Sequence, residues 1–152
     1  MIQTQVKDKY RLMVILNFLA IIIVLIYDFA GFYRIRWMKE PPFGWIHINI
    51  LSDPLSFVLI SFIVLGFMVC CITSYRGVTD RIDDQQFRDL TKVVPVLFVY
   101  VAVCGLLILI IGLFSENWRF GFGFYTSFVV SAIDWIIVDQ IADLRQNSNL
   151  EV

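Results

Sequence analysis

Charge is scarce in this 152-residue chain: 16% of its residues are Asp, Glu, Lys or Arg, and 12 basic against 13 acidic side chains leave a net charge of −1. No polybasic surface is available to hold nucleic acid, so the basic residues are read for membrane topology instead. Histidine occurs once, at His47, and cysteine three times, at Cys70, Cys71 and Cys104, each cysteine inside an apolar run. This argues against a disulfide framework. With no His-x-x-x-His or Cys-x-x-Cys spacing, it also argues against a metal centre. A phosphate-cradling glycine loop, a dinucleotide turn and a nucleophile elbow are missing too. The expectation is a protein without a cofactor, a metal or an enzymatic activity.

Apolar surface is what the chain has in excess. Hydrophobic residues make up 59% and the mean hydropathy is +0.79, against roughly 45–50% apolar residues in soluble domains. Lipid is therefore the expected solvent. Four runs approach or exceed the ~20 residues that cross a bilayer as a helix, at 12–33, 54–75, 93–114 and 120–140. The predicted fold class is an all-α integral membrane protein, a four-transmembrane-helix bundle forming a single membrane domain. An outer connection at 34–52 and a charged linker at 76–92 join the spans. Within the outer connection, Arg34-Ile35-Arg36-Trp37 and Ile46-His47-Ile48-Asn49-Ile50 alternate around a Pro-Pro break, which predicts a short β-hairpin. Its Trp37, Phe43 and Trp45 suit headgroup depth, and His47 is read as a solvated strand residue.

The fourth span carries the main anomaly, a carboxylate well inside the apolar run. At about 100° per residue, Gly123, Ser127, Ser131 and Asp134 share one face, with phenylalanine, valine and isoleucine over the rest. An ion at mid-membrane costs ~2.5–3.5 kcal/mol or more on insertion scales, so such a side chain faces a partner, a bundle interior or water. The first span has a matching stripe of Asn17, Ala20, Val24, Asp28 and Gly31. Asn17 is expected at the height of Asp134, and Asp28 near the outer end, within reach of Arg34 or Arg36. Asp28 and Asp134 stand ~16 Å apart in height, too far to flank one reacting bond. In the second span, Ser56, Leu59, Ile63, Gly66, Cys70 and Thr73 form a seam for close helix contact. In the third, Pro95 is placed in the first turn, with Phe98, Ala102, Gly105, Leu109 and Gly112 on one side. Residues 115–119 read as a very short turn, and 146–152 as a mobile polar tail.

Orientation follows from the basic residues. Lys7, Lys9, Arg11, Arg76, Arg81, Arg88, Lys92 and Arg145 fall on one side, and Arg34, Arg36, Lys39 and Arg119 on the other, which predicts both termini and the linker in the cytoplasm. The linker is expected to be helical over 80–90, with Asp84 and Arg88 paired. Asp80, Asp83, Asp84, Arg88, Asp139 and Asp143 then offer a charged surface for docking a soluble partner. Two functions remain open. One is an oligomeric membrane sensor or scaffold that docks a cytoplasmic protein. The other is an oligomeric cation channel or transporter subunit lined by the polar faces of the first and fourth spans.

The length, the four spans with both ends inside, the aromatic outer hairpin and the acidic cytoplasmic edge at 80–89 and 139–143 together resemble the small membrane subunit of the Kiwa bacterial antiphage defence system. The resemblance is one of architecture over the whole chain, and no site residue carries over from it. It implies a homo-oligomer in a bacterial inner membrane that senses phage attachment and acts with a soluble DNA-binding partner subunit.

Overall fold

Seven elements follow one another in the computed structural model, which describes residues 2–35, 45–51 and 54–150, and the side chains of 3–32, 47–51 and 54–146. They are α1 (Ile2–Ile26), β1 (Ala30–Ile35), β2 (Trp45–Ile48), α2 (Pro54–Val78), α3 (Asp84–Gly112), β3 (Ser115–Phe120) and α4 (Phe122–Leu150). The four helices are each long and apolar enough to cross a membrane. They stand antiparallel to their chain neighbours, with α1 against α2 and α4, and α3 against α4 and α2. Buried residues recur every three or four positions, as a helix with one inward face requires: Tyr10, Met13, Asn17, Ala20 and Val24 on α1; Ser56, Ile60, Ile63, Phe67, Cys70, Ser74 and Gly77 on α2. The α2 stripe corrects the predicted seam. Leu59, Gly66 and Thr73 lie one residue off it, because Gly66 turns toward α3, where an added methyl would meet Leu97 Cδ1 at 2.6 Å. On α3, Gly105 and Gly112 are buried whereas Leu109 faces outward.

The first helix is shorter at its far end than the 12–33 reading. It stops at Ile26, its last turn closing with Tyr27 N–H on the Ile23 carbonyl at 2.9 Å, and the chain becomes strand from Ala30. An apolar run alone does not tell a helix from a strand buried among partners, and Ala30–Ile35 has partners on both edges. It is the middle of a three-stranded antiparallel sheet, β2-β1-β3, in which Gly31 faces His47 on one side and Arg119 on the other. A hairpin exists, but its first strand lies ahead of the predicted strand at 34–37: residues 30–33 pair with 45–48, while Trp37 and Phe43 lie outside the described residues, as does the side chain of Trp45. Residues 115–119 are no bare turn but most of β3, which ties the α3–α4 connection to the α1–α2 connection.

At the opposite end α2 runs on to Val78 and closes with Arg81 N–H on the Arg76 carbonyl at 2.9 Å and Asp80 N–H on the Gly77 carbonyl at 3.4 Å. Asp80 takes the left-handed conformation, φ 56°, that this helix ending needs. Residues 79–83 are therefore a turn and not the start of the predicted 80–90 helix. Asp83 caps α3: its carboxylate accepts from Gln86 N–H at 2.7 Å, and Gln86 Oε1 accepts from Asp83 N–H at 3.4 Å. With α3 starting at Asp84, Pro95 sits inside the helix rather than in its first turn. At the C-terminus the helix continues through the expected tail to Leu150.

Candidate functional site

The polar faces of α1 and α4 meet in the interior of the bundle. Asn17, Ser127, Ser131 and Asp134 all have 0% of their surface exposed. The hydroxyls and the amide are satisfied locally: Ser127 Oγ donates to the Gly123 carbonyl at 2.8 Å, Ser131 Oγ to Phe128 at 3.1 Å, and Asn17 Nδ2 to Met13 at 2.8 Å. Such bonds to the helix's own carbonyls cost no tertiary partner. Asp134 has no such outlet, since a carboxylate offers acceptors and no donor. The Asn17 side chain lies beside it, and the Cys70 and Cys71 thiols of α2 are within electrostatic range. Yet neither Asp134 oxygen receives a hydrogen bond from the described residues, and Asn17 Oδ1 and Tyr10 Oη are left in the same state. Each unmade buried bond costs ~1–3 kcal/mol. Chemically, the site is the unpartnered carboxylate of Asp134 beside Asn17, a group that accepts a proton or a hydrogen bond. Gly123 plays a different part from the hydroxyls, its N–H donating to the Asp28 carbonyl at 3.1 Å.

Asp28 belongs to the sheet end and not to a helical stripe. Its Oδ2 contacts His47 Nδ1 and its Oδ1 accepts from Asn49 Nδ2 at 3.2 Å. His47 is thus engaged with Asp28 while remaining partly exposed. The expected partners Arg34 and Arg36 have side chains outside the described residues. Asn49 was readable from strand period, because residues two apart share a face with His47.

Of the six residues expected to dock a partner, three are held within the fold. Asp80 pairs with Lys7 at 2.5 Å, Asp83 caps α3, and Asp84 reaches Arg145 at 3.6 Å in place of the expected Arg88. The guanidinium of Arg145 also lies 4.4 Å over the Phe87 ring. Arg88, Asp139 and Asp143 are exposed. All three cysteines are free, and no group of three potential metal ligands occurs among the described residues. The sequence alone assigns Tyr10 no role and Arg145 only a place in the charge count that sets orientation. Tyr10 extends the 10-13-17-20-24 stripe two residues before the predicted span begins, so its spacing was a usable signal.

The class that fold and site define is a four-helix apolar bundle closed at one end by a small sheet. No protein-family model, curated protein or solved structure matches the chain, so function must be argued from the chemistry above.

Proposed function

We propose that the chain is an integral membrane sensor or scaffold without enzymatic activity. It works as a homo-oligomer, with both termini and the α2–α3 turn in the cytoplasm of a bacterium, and docks a soluble protein there. The phage-sensing role implied by the Kiwa resemblance is part of this proposal. The observation that carries it is the burial of both polar stripes against each other, which makes them the glue of one bundle and leaves the exposed charge at its ends. A membrane setting is further supported by how much apolar helix faces outward: the most apolar stretches of the four helices have between 28% and 44% of their residues buried. Apolar surface turned outward suits lipid, and would be unfavourable in water.

Asp139 and Asp143 are the docking residues to test, since they are exposed and free of ion pairs among the described residues. Charge reversal there, Asp139→Lys with Asp143→Lys, is expected to abolish co-purification of a cytoplasmic partner while leaving the helical content unchanged. Undiminished co-purification would remove this assignment. Reversal at Asp80, Asp83 or Asp84 would also disturb the turn and is the poorer test.

One observation favours a second reading, transport of a proton or cation through the bundle: the unpartnered oxygens of Asp134. Under this reading Asp134→Asn changes ion flux in liposomes. If Asp134 is only a buried acid of the packing, Asp134→Leu instead leaves flux absent and stability unchanged or raised, because an apolar replacement removes an unmet polar group.

A further inference from the structure

The basic side chains at the terminal end fall into two groups. On α1 and α4, Lys7 pairs with Asp80 at 2.5 Å, Arg11 with Asp8 at 3.0 Å and Arg145 with Asp84 at 3.6 Å, while Lys9 donates to Gln140. On α2, the turn and α3, the side chains of Arg76, Arg81, Arg88 and Lys92 are exposed and make no ion pair or hydrogen bond among the described residues. The acids of this segment are otherwise engaged, with Asp80 and Asp84 paired and Asp83 capping a helix, so within it Asp89 alone is left against four cations, while Asp139 and Asp143 stand exposed on α4.

Of these cations Lys92 lines an apolar groove of about 290 Å³ between α2 and α3, walled by Phe62, Gly66, Val93, Val96, Leu97 and Tyr100. Gly66 lets Leu97 close down on α2 at its floor, and Tyr100 Oη is satisfied by the Leu59 carbonyl at 3.2 Å. Gly66 packs on Leu97, and on antiparallel helices the residue ten further along α2 is level with the residue ten earlier on α3. Arg76 is therefore level with Phe87, one residue from Arg88, and Lys92 lies ~6 Å deeper than Arg88. Lys92 and Val96 lie on the α3 face that lines the groove, and Arg88, one turn before Lys92, and Arg76 stand beyond its terminal end. From Lys92 to Tyr100 is ~12 Å of helix, close to one leaflet's ~15 Å share of the hydrocarbon core.

We propose that this groove binds an anionic glycerophospholipid, with one acyl chain along the groove and the phosphate held by Arg76, Arg88 and Lys92. The inference rests on the reading that the four helices cross a bilayer. Cations free of internal pairs bind a phosphate without first breaking an existing contact, and the low-dielectric wall beneath them strengthens the attraction. A zwitterionic lipid would fill the apolar part and gain less from the charges.

The test uses the full chain in neutral detergent, offered equal amounts of phosphatidylglycerol and phosphatidylcholine, with retained lipid read by native mass spectrometry. Wild type is expected to retain phosphatidylglycerol in about tenfold or greater excess, and Arg88→Gln with Lys92→Gln to bring the ratio near one. Val96→Trp, at an exposed position that perturbs no core contact, is expected to lower retention of both lipids. Equal retention by wild type, or a ratio untouched by the double substitution, overturns the proposal. So does a Val96→Trp variant that loses oligomer order with lipid retention unchanged, which would assign the groove to a second copy of the chain. Carbonate extraction separates the two levels. A chain released into the aqueous fraction overturns the membrane reading and this site together, whereas an embedded chain lacking the lipid preference overturns this site alone.

Discussion

The two ends of the bundle are held by different means. At the sheet end the ties are main-chain hydrogen bonds: β1 pairs on both edges, Gly121 N–H donates to the Phe29 carbonyl at 2.9 Å, and Gly123 N–H to Asp28 at 3.1 Å. At the terminal end they are side-chain contacts, Lys7 with Asp80, Lys9 with Gln140, and Arg145 with Asp84 and Phe87. Backbone ladders tolerate many side chains but no loss of register, and fail where a side chain has no room. Exposed ion pairs are worth ~0–1 kcal/mol each and weaken with salt. The difference makes the sheet end the fixed frame, and the terminal end the place where contacts can rearrange at small cost.

The comparison is most exposed at two glycines. A Cβ on Gly121 would lie 1.9 Å from the Asp28 carbonyl oxygen, an atom of the main chain that cannot swing aside. Gly121→Ala is expected to destabilise by ~3 kcal/mol or more, read as unfolding by SDS titration or heat in detergent. Near-wild-type stability would mean the corner is not rigid. Gly77, at the other end, would place a Cβ 2.6 Å from the Tyr10 ring. A ring has rotamers available, so Gly77→Ala should cost less, ~1–3 kcal/mol. The reverse order of the two effects would break the contrast between the ends.

The four helices were legible because a bilayer-length apolar run is a strong signal, and the stripe of Ser127, Ser131 and Asp134 because helical period survives any tertiary context. The strands were legible only in part. Ala30–Ile35 continues the apolar run of α1 without a break in composition, and what makes it a strand is the presence of β2 and β3 beside it, a non-local fact. Ser115–Phe120 was masked by its shortness. The α3 start was written in the chain as Asp83-x-x-Gln86, yet a charge-based reading of the linker passed over it. Arg145 pairing with Asp84 joins residues far apart in the chain, which no local pattern encodes.

Smaller effects sharpen the comparison at the terminal end. Asp83→Ala removes the cap of α3 and should cost ~1 kcal/mol, visible in the same unfolding assay. Lys7→Gln removes one exposed ion pair and should cost under ~1 kcal/mol, an effect that disappears at high salt.

Asp80 combines two opposed contributions and so gives the smallest net effect. Its left-handed backbone, φ 56°, disfavours a side chain by ~1–2 kcal/mol relative to glycine, somewhat less for aspartate, while its carboxylate gains ~0–1 kcal/mol from Lys7. Asp80→Gly relieves the first and loses the second, so stability should move little in either direction. Asp80→Ala loses the pair and keeps the backbone cost, so it should be less stable than Asp80→Gly by ~1 kcal/mol at any salt concentration. If the two variants match at all salt concentrations, the turn is not held by its backbone geometry. If Asp80→Gly instead loses several kcal/mol, the Lys7 contact matters far more than an exposed pair should, and the terminal end would be as firmly fixed as the sheet.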